Sequence, residues 1–158
     1  MNFLPPEDYQ ARNIALFDDL KNHILVELPN ARIEHIGASA IPGAYSKGDL
    51  DIFVGVPLEE MDVSIRAIEK LGFNPKKDTL RTPELCMLEL GANRSDVAIQ
   101  LVGNGSKFEY FIAFRDALIH SPRLLSSYNR LKESCAGMDY ESYRERKSEF
   151  IEAVLDAH

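Results

Sequence analysis

The stretch that most constrains this chain is residues 33–56, IEHIGASAIPGAYSKGDLDIFVGV, in which two apolar runs flank a loop of small residues. Asp49 and Asp51 begin the second run. Because side chains alternate along a strand, both carboxylates are expected on one face, with Cα atoms roughly 6.5–7 Å apart. Charges about 4 Å apart repel by roughly 4 kcal/mol at an effective dielectric near 20. Such a pair is therefore either well solvated or holds a divalent cation, and oxygen ligands favour Mg²⁺ or Mn²⁺ over zinc.

The residues around this pair resemble a known superfamily. Gly37-x-Ser39, nine intervening residues and then Asp-apolar-Asp-apolar is similar to the signature of nucleotidyltransferases, which have the DNA polymerase β-like fold. Within that superfamily, HIGASAIPG, KGDLDIFVGV, FRDALIHSPRLLSSYNRLK and YRERKSEFI resemble the GrpB (UPF0157) family, from about Glu34 to the C-terminus. The resemblance implies a nucleoside triphosphate bound with Mg²⁺ (or Mn²⁺). It also implies transfer of a nucleotidyl group to a hydroxyl or amine of a small molecule or protein.

A metal and catalytic site is the first implication for individual residues. Asp49 and Asp51 would be ligands, and Asp96 is the candidate third carboxylate because it leads directly into the apolar run VAIQLV. If that run is the neighbouring strand, Asp96 shares a face with Ala98 and Gln100. The alternative is that Asp96 only caps a turn. Many GrpB sequences carry histidines where this chain has Ala98 and Gln100, so it departs from the family there.

Substrate binding is the second implication. The turn Gly37-Ala38-Ser39 and Lys47 would hold phosphates, since glycine permits close approach and turn amides bind anions. Ala38 stands where GrpB-like sequences usually have serine, which favours backbone contacts, and a turn without ligand is the alternative. Lys47 alternatively balances the nearby aspartates. Arg115, in the FRDAL motif, is either a fork for phosphate or carboxylate or, as we prefer, part of a structural ion pair.

Composition places the chain among ordinary globular proteins. Its 158 residues suit a single domain, 1–158, with 45% hydrophobic and 27% charged residues. The net charge of −7 opposes binding to nucleic acid or to anionic membranes. Cys86 and Cys135 have no metal-ligand spacing and are expected to be free thiols. The N-terminus has no signal-peptide pattern and no apolar run is long enough to span a membrane, so we expect a cytoplasmic protein.

Apolar spacing and turn residues predict the elements. We expect an α+β fold, with a nucleotidyltransferase-like mixed sheet of four or five strands, an N-terminal helix and three C-terminal helices. A further helix is predicted over 58–71, closed by Gly72. The segments 85–90 and 97–102 read as an antiparallel pair joined by a turn at 91–93. Helix starts are predicted at a capping box, Ser106 to Glu109, at Ser121-Pro122 and at Asp139.

Two other features have non-catalytic interpretations. Tyr140, Tyr143, Arg144 and Lys147 form a basic, aromatic stripe at helical spacing, which we interpret as a solvated face. His35 is expected to be a hydrogen-bonded, half-buried histidine rather than a metal ligand, because no Cys or second His accompanies it.

A second class of function remains open. The chain is alternatively a non-catalytic nucleotide-binding or accessory module, for example one linked to coenzyme A biosynthesis, since GrpB-like domains occur fused to dephospho-coenzyme A kinase. Ala38 and the missing strand histidines favour this alternative, and the intact Asp-x-Asp pair opposes it. Because little of the chain lies beyond the core, an acceptor site shared across a homodimer is a further expectation.

Overall fold

A computed structural model describes residues 2–91 and 94–157 of the chain. In this part there are five α-helices: α1 Gln10–Glu27, α2 Met61–Glu69, α3 Tyr110–His120, α4 Pro122–Cys135 and α5 Tyr140–Ala157. The five strands are β1 Arg32–Ile36, β2 Leu50–Val56, β3 Phe73–Pro75, β4 Leu85–Leu90 and β5 Arg94–Gly103. They form one sheet in the order β1-β2-β5-β4-β3. The predicted α+β fold with a mixed sheet is confirmed, and its strand number is five.

Strand pairing makes β2 and β5 the centre of the sheet. These two strands run parallel, with Leu50 opposite Val97 and Asp51 opposite Ala98. The other neighbours, β1–β2, β4–β5 and β3–β4, are antiparallel. The antiparallel β4–β5 pair agrees with the prediction, while the turn proposed at 91–93 lies partly outside the described residues. Asp51 therefore sits in the interior of the sheet, between β1 and β5.

The two faces of the sheet are covered by different helices. Alternate β2 residues Leu50, Ile52 and Val54 join the largest apolar cluster, with side chains from α1 and α2. Phe53 faces the other way and packs with Phe108 and Ile112 at the start of the C-terminal helices. Strand alternation puts Asp51 on this second face. The carboxylates thus lie under the C-terminal helical half of the protein.

The predicted capping side chains are found at two helix starts and are absent at the third. The side chain of Ser121 accepts from Leu124 N at 3.2 Å, and Asp139 Oδ1 accepts from Ser142 N at 2.7 Å. Ser106, in contrast, gives no side-chain cap. A 3-10 turn precedes α3, so the Glu109 amide bonds the Ser106 carbonyl at 3.2 Å instead of its hydroxyl. The capping box is therefore not formed.

The C-terminal helices pack through aromatic side chains. The rings of Tyr128 and Phe150 stack with centroids 5.3 Å apart, and Tyr143 is only 3% exposed. The interpretation of the α5 stripe as a solvated face is therefore wrong for Tyr143, because this side of α5 packs towards α4. Cys86 and Cys135 are buried free thiols, as predicted. None of the described helices has the length and apolarity to cross a bilayer.

Candidate active site at the Asp49–Asp51 strand

The carboxylate pair is built where the loop enters β2. Asp49 lies one residue before the strand, and Asp51 is its second residue. Both aspartates are half-buried. Burial and the neighbouring charge of Asp49 raise the pKa of Asp51 to about 7, against the opposing effect of Lys147, Lys47 and Lys76. Burial and mutual repulsion therefore disfavour ionisation of both carboxyl groups at once, and a bound cation would offset this effect.

The turn after β1 presses its backbone against this pair. Gly37 has φ 74° and ψ −175°, a backbone region that is essentially restricted to glycine. A β-carbon at Gly37 would lie 2.7 Å from Asp51 Oδ2. A side chain at this position would thus occupy space beside the carboxylate. The predicted role of glycine, close approach of backbone to the site, matches this geometry.

Ser39 is turned away from the pair by a histidine. His35 Nε2 and Ser39 Oγ are 2.7 Å apart, and Ser39 is 2% exposed. Burial, followed by the charge of Arg115, lowers the pKa of His35 to about 4, so its ring is neutral at physiological pH. The ring also stacks on Phe17 with centroids 4.8 Å apart. His35 is hydrogen-bonded and half-buried as predicted, and any phosphate contact of the Gly37-Ala38-Ser39 turn would come from its backbone.

Helix α1 holds the loop between the turn and the carboxylates from one side. Tyr9 Oη donates to Ala44 O at 2.7 Å, and Gln10 Nε2 donates to Ile41 O at 2.8 Å. Asn13 Nδ2 donates to both Gly48 O at 3.1 Å and Asp49 O at 3.2 Å. These contacts fix the chain on either side of the loop. They position the backbone from which Asp49 projects.

Helix α4 holds the same loop from the other side. Asn129 accepts from Tyr45 N at 3.0 Å and donates to Gly43 O at 3.0 Å. Lys132 Nζ donates to Tyr45 O and lies 4.0 Å from the centre of the Tyr128 ring. Lys132 is 2% exposed, and its pKa falls to about 7 through burial, with repulsion from Lys147 adding to this.

Lys47, a predicted phosphate ligand, projects from the exposed part of this loop. Its Nζ lies 4.5 Å from the centre of the Tyr140 ring on α5. Ser46, just before it, is buried, and its hydroxyl lies 3.4 Å from Asp49 Oδ1. Lys47 is thus on the same loop as the carboxylates and beside α5. Whether it contacts phosphate stays a prediction.

Arg115 lies at the edge of the site in a network of protein contacts. Its Nη1 donates to Glu34 Oε1 at 2.8 Å and to His35 O at 3.0 Å, and its Nε donates to Asp116 Oδ1 at 2.9 Å. Burial raises the pKa of Glu34, but its contacts with Arg115 and Arg32 outweigh this effect, so the pKa is lowered on balance. This arrangement corresponds to the structural ion pair that we preferred. A substrate contact by Arg115 stays a prediction.

Asp96 shares a cleft with Asp49. Leu50 on β2 is paired with Val97 on β5, and Asp49 and Asp96 are the residues directly before these two. The side chain of Asp96 is exposed. A cleft of about 500 Å³ is lined by both aspartates together with Arg12 and Lys47. Within the described parts of the chain, no three His, Cys, Asp or Glu side chains come together as a metal site. Asp96 as third ligand therefore stays a prediction.

The donor set of the pair nevertheless suits magnesium. Mg²⁺ is commonly held by one or two carboxylates, with substrate phosphates and water completing its coordination. Asp49 and Asp51 supply such carboxylates on one strand face, and the Ser46 hydroxyl adds a further oxygen beside Asp49.

A basic residue near the carboxylate pair, Lys147, was not predicted from the sequence as part of the site. Lys147 on α5 is half-buried and has both Asp49 and Asp51 among its electrostatic neighbours. Its pKa is raised by Tyr128, Tyr143 and these carboxylates. Since phenols are neutral at physiological pH, the carboxylates are the charges that matter there. The sequence offers only a partial signal, because Lys147 follows Tyr143 and precedes Phe150 at helical spacing, and this spacing does not show against what that face packs.

The fold defines the class of the protein. It resembles the Cid1 poly(U) polymerase solved with MgGTP bound, with a TM-score of 0.56 and 16% identity over 80% of this chain and 42% of that one. It also resembles the GLD-2/RNP-8 complex, with a TM-score of 0.54 and 15% identity over 80% of this chain and 43% of that one. The chain thus has a nucleotidyltransferase-like fold.

The chain belongs to the GrpB family, since the family model described as GrpB protein matches residues 7–157. A UPF0157 protein of Vibrio cholerae is 52% identical over 155 residues, covering 98% of this chain and 82% of that protein. A UPF0157 protein of Deinococcus radiodurans is 30% identical over 159 residues, covering 98% and 81%. The crystal structure of GrpB from Enterococcus faecalis has a TM-score of 0.74 at 19% identity, covering 98% of this chain and 99% of that one.

Proposed function

We propose that this protein binds a nucleoside triphosphate together with Mg²⁺ at Asp49 and Asp51, and transfers a nucleotidyl group to a small molecule or protein. The observation that carries the proposal is the carboxylate pair itself, with the Asp51 side chain against Gly37. Two carboxylates held this way, in a nucleotidyltransferase-like fold, suit metal-assisted phosphoryl chemistry.

The residues around the pair have separate tasks in this proposal. Asp49 and Asp51 hold the cation, with Asp96, which lines the same cleft as Asp49, as the candidate third ligand. When bound, Mg²⁺ supplies charge neutralisation of the triphosphate and activation of the attacking hydroxyl. The backbone of the Gly37 turn and the ammonium group of Lys47 bind phosphate oxygens. Contacts from α1 and α4 fix the loop, so that these groups need little reorganisation on binding.

The second candidate is a nucleotide-binding or accessory module without transfer chemistry. It is favoured by one observation, that Ala98 lies directly beside Asp51 on β5. Alanine has no ligating atom, so the neighbouring strand contributes nothing to a cation at the level of Asp51. Both candidates share nucleotide binding and differ in turnover.

The direct test is calorimetric titration of the four ribonucleoside triphosphates, with and without Mg²⁺. We expect Mg²⁺-dependent binding in the wild-type protein and none in Asp51→Asn. Asp62→Asn, which removes an exposed aspartate on α2, is the matched control and should bind as the wild type does. Equal affinity of the wild-type and Asp51→Asn proteins would reject the metal role. Release of pyrophosphate with added acceptors then separates the two candidates.

A further inference from the structure

The C-terminal helices bring basic groups to the carboxylate pair. Asp51 lies on the sheet face that these helices cover, since Phe53, two residues further along β2, shares its face and packs with Ile112 of α3. Lys147 comes from α5, and Lys47 comes from the loop that α5 touches through Tyr140. Both lysines are electrostatic neighbours of Asp51. The protein itself therefore supplies two positive charges, those of Lys47 and Lys147, in the electrostatic surroundings of Asp51.

Lys147 is held in place by the packing of α5. It lies one turn after Tyr143, which is 3% exposed, and one turn before Phe150, whose ring stacks 5.3 Å from that of Tyr128. Residues three or four apart share a helix face, so the lysine stem belongs to the packed side of α5. Its half-buried position agrees with this placement. Lys147 also has both carboxylates of the pair among its electrostatic neighbours.

A second lysine, Lys132, links α4 to the loop that carries Lys47. Lys132 on α4 is 2% exposed, donates to the carbonyl of Tyr45 and lies 4.0 Å from the Tyr128 ring centre. Tyr128 on α4 also stacks on Phe150 of α5, with ring centroids 5.3 Å apart. The two helices and the loop are thus joined at one point, close to Lys147. Large movement of Lys147 away from the carboxylates would disturb this packing.

We propose that Lys147 is the resident counter-cation of the Asp49–Asp51 pair, so that the site binds a divalent cation tightly only when a polyphosphate binds with it. The proposal rests on the function proposed above. When both carboxyl groups are ionised, as they are around a bound cation, the pair carries two negative charges, and Lys47 and Lys147 together carry two positive charges. A divalent cation alone would then leave the cluster with an excess of two positive charges, next to a half-buried ammonium group. A triphosphate removes this excess and gives Lys147 a new anionic partner.

The expected consequence is strong coupling between the two ligands. A positive charge at Lys147 repels a bare cation and attracts a polyphosphate, and binding free energies of coupled ligands are reciprocal. In the wild-type protein, inorganic tripolyphosphate should therefore raise the affinity for Mn²⁺ far beyond its effect on a protein without this lysine. Removing the charge should change the two affinities in opposite directions.

The experiment measures Mn²⁺ binding by electron paramagnetic resonance, with and without inorganic tripolyphosphate. In Lys147→Gln we expect Mn²⁺ alone to bind about tenfold more tightly than in the wild type, and the tripolyphosphate complex about tenfold more weakly. Lys147→Arg keeps the charge and should resemble the wild type in both measurements. Arg146→Gln removes an exposed charge from the neighbouring position of α5 and is the matched control. Circular dichroism verifies that each variant is folded.

The outcomes separate this inference from the function on which it rests. Mn²⁺ binding to Lys147→Gln that is unchanged or weaker than in the wild type would overturn the counter-cation role. The same holds if Mn²⁺ binds neither to the wild type nor to Lys147→Gln. Should Lys147→Gln not fold, the wild type still decides, because absence of coupling between Mn²⁺ and tripolyphosphate there overturns the inference equally. Tighter Mn²⁺ binding in Lys147→Gln, without any nucleotide binding by the wild type, would keep the counter-cation and reject the proposed function.

Discussion

Gly37 and Asp51 are in such close approach that a β-carbon on Gly37 would lie 2.7 Å from Asp51 Oδ2. The contact joins the turn after β1 to the central strand β2. It makes glycine a requirement of the site for two reasons, the space beside the carboxylate and the backbone angles of φ 74° and ψ −175°.

Gly37→Ala is expected to destabilise the protein and to weaken Mg²⁺-dependent nucleotide binding. The backbone strain costs about 1–3 kcal/mol, and the new methyl group must displace the Asp51 carboxylate. Chemical denaturation and nucleotide titration measure the two effects. Gly105→Ala is the control, because Gly105 also has positive φ, 83°, but its β-carbon would meet nothing within 4 Å. Wild-type nucleotide affinity in Gly37→Ala would contradict this account of the turn.

His35 should contribute stability that is lost at mildly acid pH. Burial and the charge of Arg115 lower its pKa from 6.5 to about 4 in the folded state. At this residue the unfolded chain therefore binds more protons between these values, so the contribution of His35 is complete above pH 6.5 and is lost as the pH falls towards 4. The loss is at most about 3 kcal/mol.

Denaturation midpoints from pH 4 to 7 measure this dependence in the wild type and in His35→Gln. As the pH falls over this range, the stability of the variant relative to that of the wild type should rise, whatever its absolute stability. His23→Gln is the control, since the His23 side chain is 60% exposed and its removal should leave the slope unchanged. Identical slopes in the wild type and in His35→Gln would mean that His35 is not the group responsible.

Asn129→Ala should loosen the loop that carries Lys47. The change removes one hydrogen bond to the Tyr45 amide and one to the Gly43 carbonyl, both 3.0 Å long. With about 0.5–1.5 kcal/mol for each bond, the loss of stability is about 1–3 kcal/mol. Hydrogen exchange of the Tyr45 amide should accelerate more than that of the β2 amides. Arg130→Ala, at an exposed position of α4, should leave this amide protected. Equal protection in both variants would contradict the proposed role of Asn129 in holding the loop.

Arg115→Lys separates a structural role from a substrate role. The guanidinium contacts Glu34, the His35 carbonyl and Asp116, and its side chain is 15% exposed. Lysine cannot reproduce this fork, so stability should fall by about 2–4 kcal/mol. Arg123→Lys, at an exposed position, is the control for the same substitution. Unchanged stability with weakened nucleotide affinity would instead favour a substrate contact.

Much of the site follows from local patterns in the sequence. Strand alternation was enough to place Asp49 and Asp51 on one face, and the superfamily resemblance of the Gly-x-Ser motif implied the turn beside them. Both motifs consist of residues close together in the chain. The interior of the sheet, with Asp51 between Ile36 and Ala98, depends on pairing between distant strands, and the sequence predicted the neighbour β5 only as a condition.

The position of Lys147 near the carboxylates could not be predicted from local patterns. From the sequence, Lys147 was interpreted as part of a solvated stripe with Tyr140, Tyr143 and Arg144. Its inward position depends on the packing of α5 against α4, which helical periodicity alone does not determine. The failed Ser106 cap has a similar origin, since the 3-10 turn before α3 redirects the Glu109 amide to a backbone carbonyl. Tertiary packing decided both positions.

The central claim is that Asp49 and Asp51 form a working metal and nucleotide site. The most direct measurement is a thermal-shift panel of the four ribonucleoside triphosphates with Mg²⁺, on the wild type and on the Asp49→Asn/Asp51→Asn double variant. Ligand at 100 times its dissociation constant stabilises a protein by about 2.7 kcal/mol, which raises the melting temperature measurably. We predict a rise that requires Mg²⁺ and is lost in the double variant. No rise with any triphosphate at millimolar concentration, or an equal rise in the double variant, would contradict the claim.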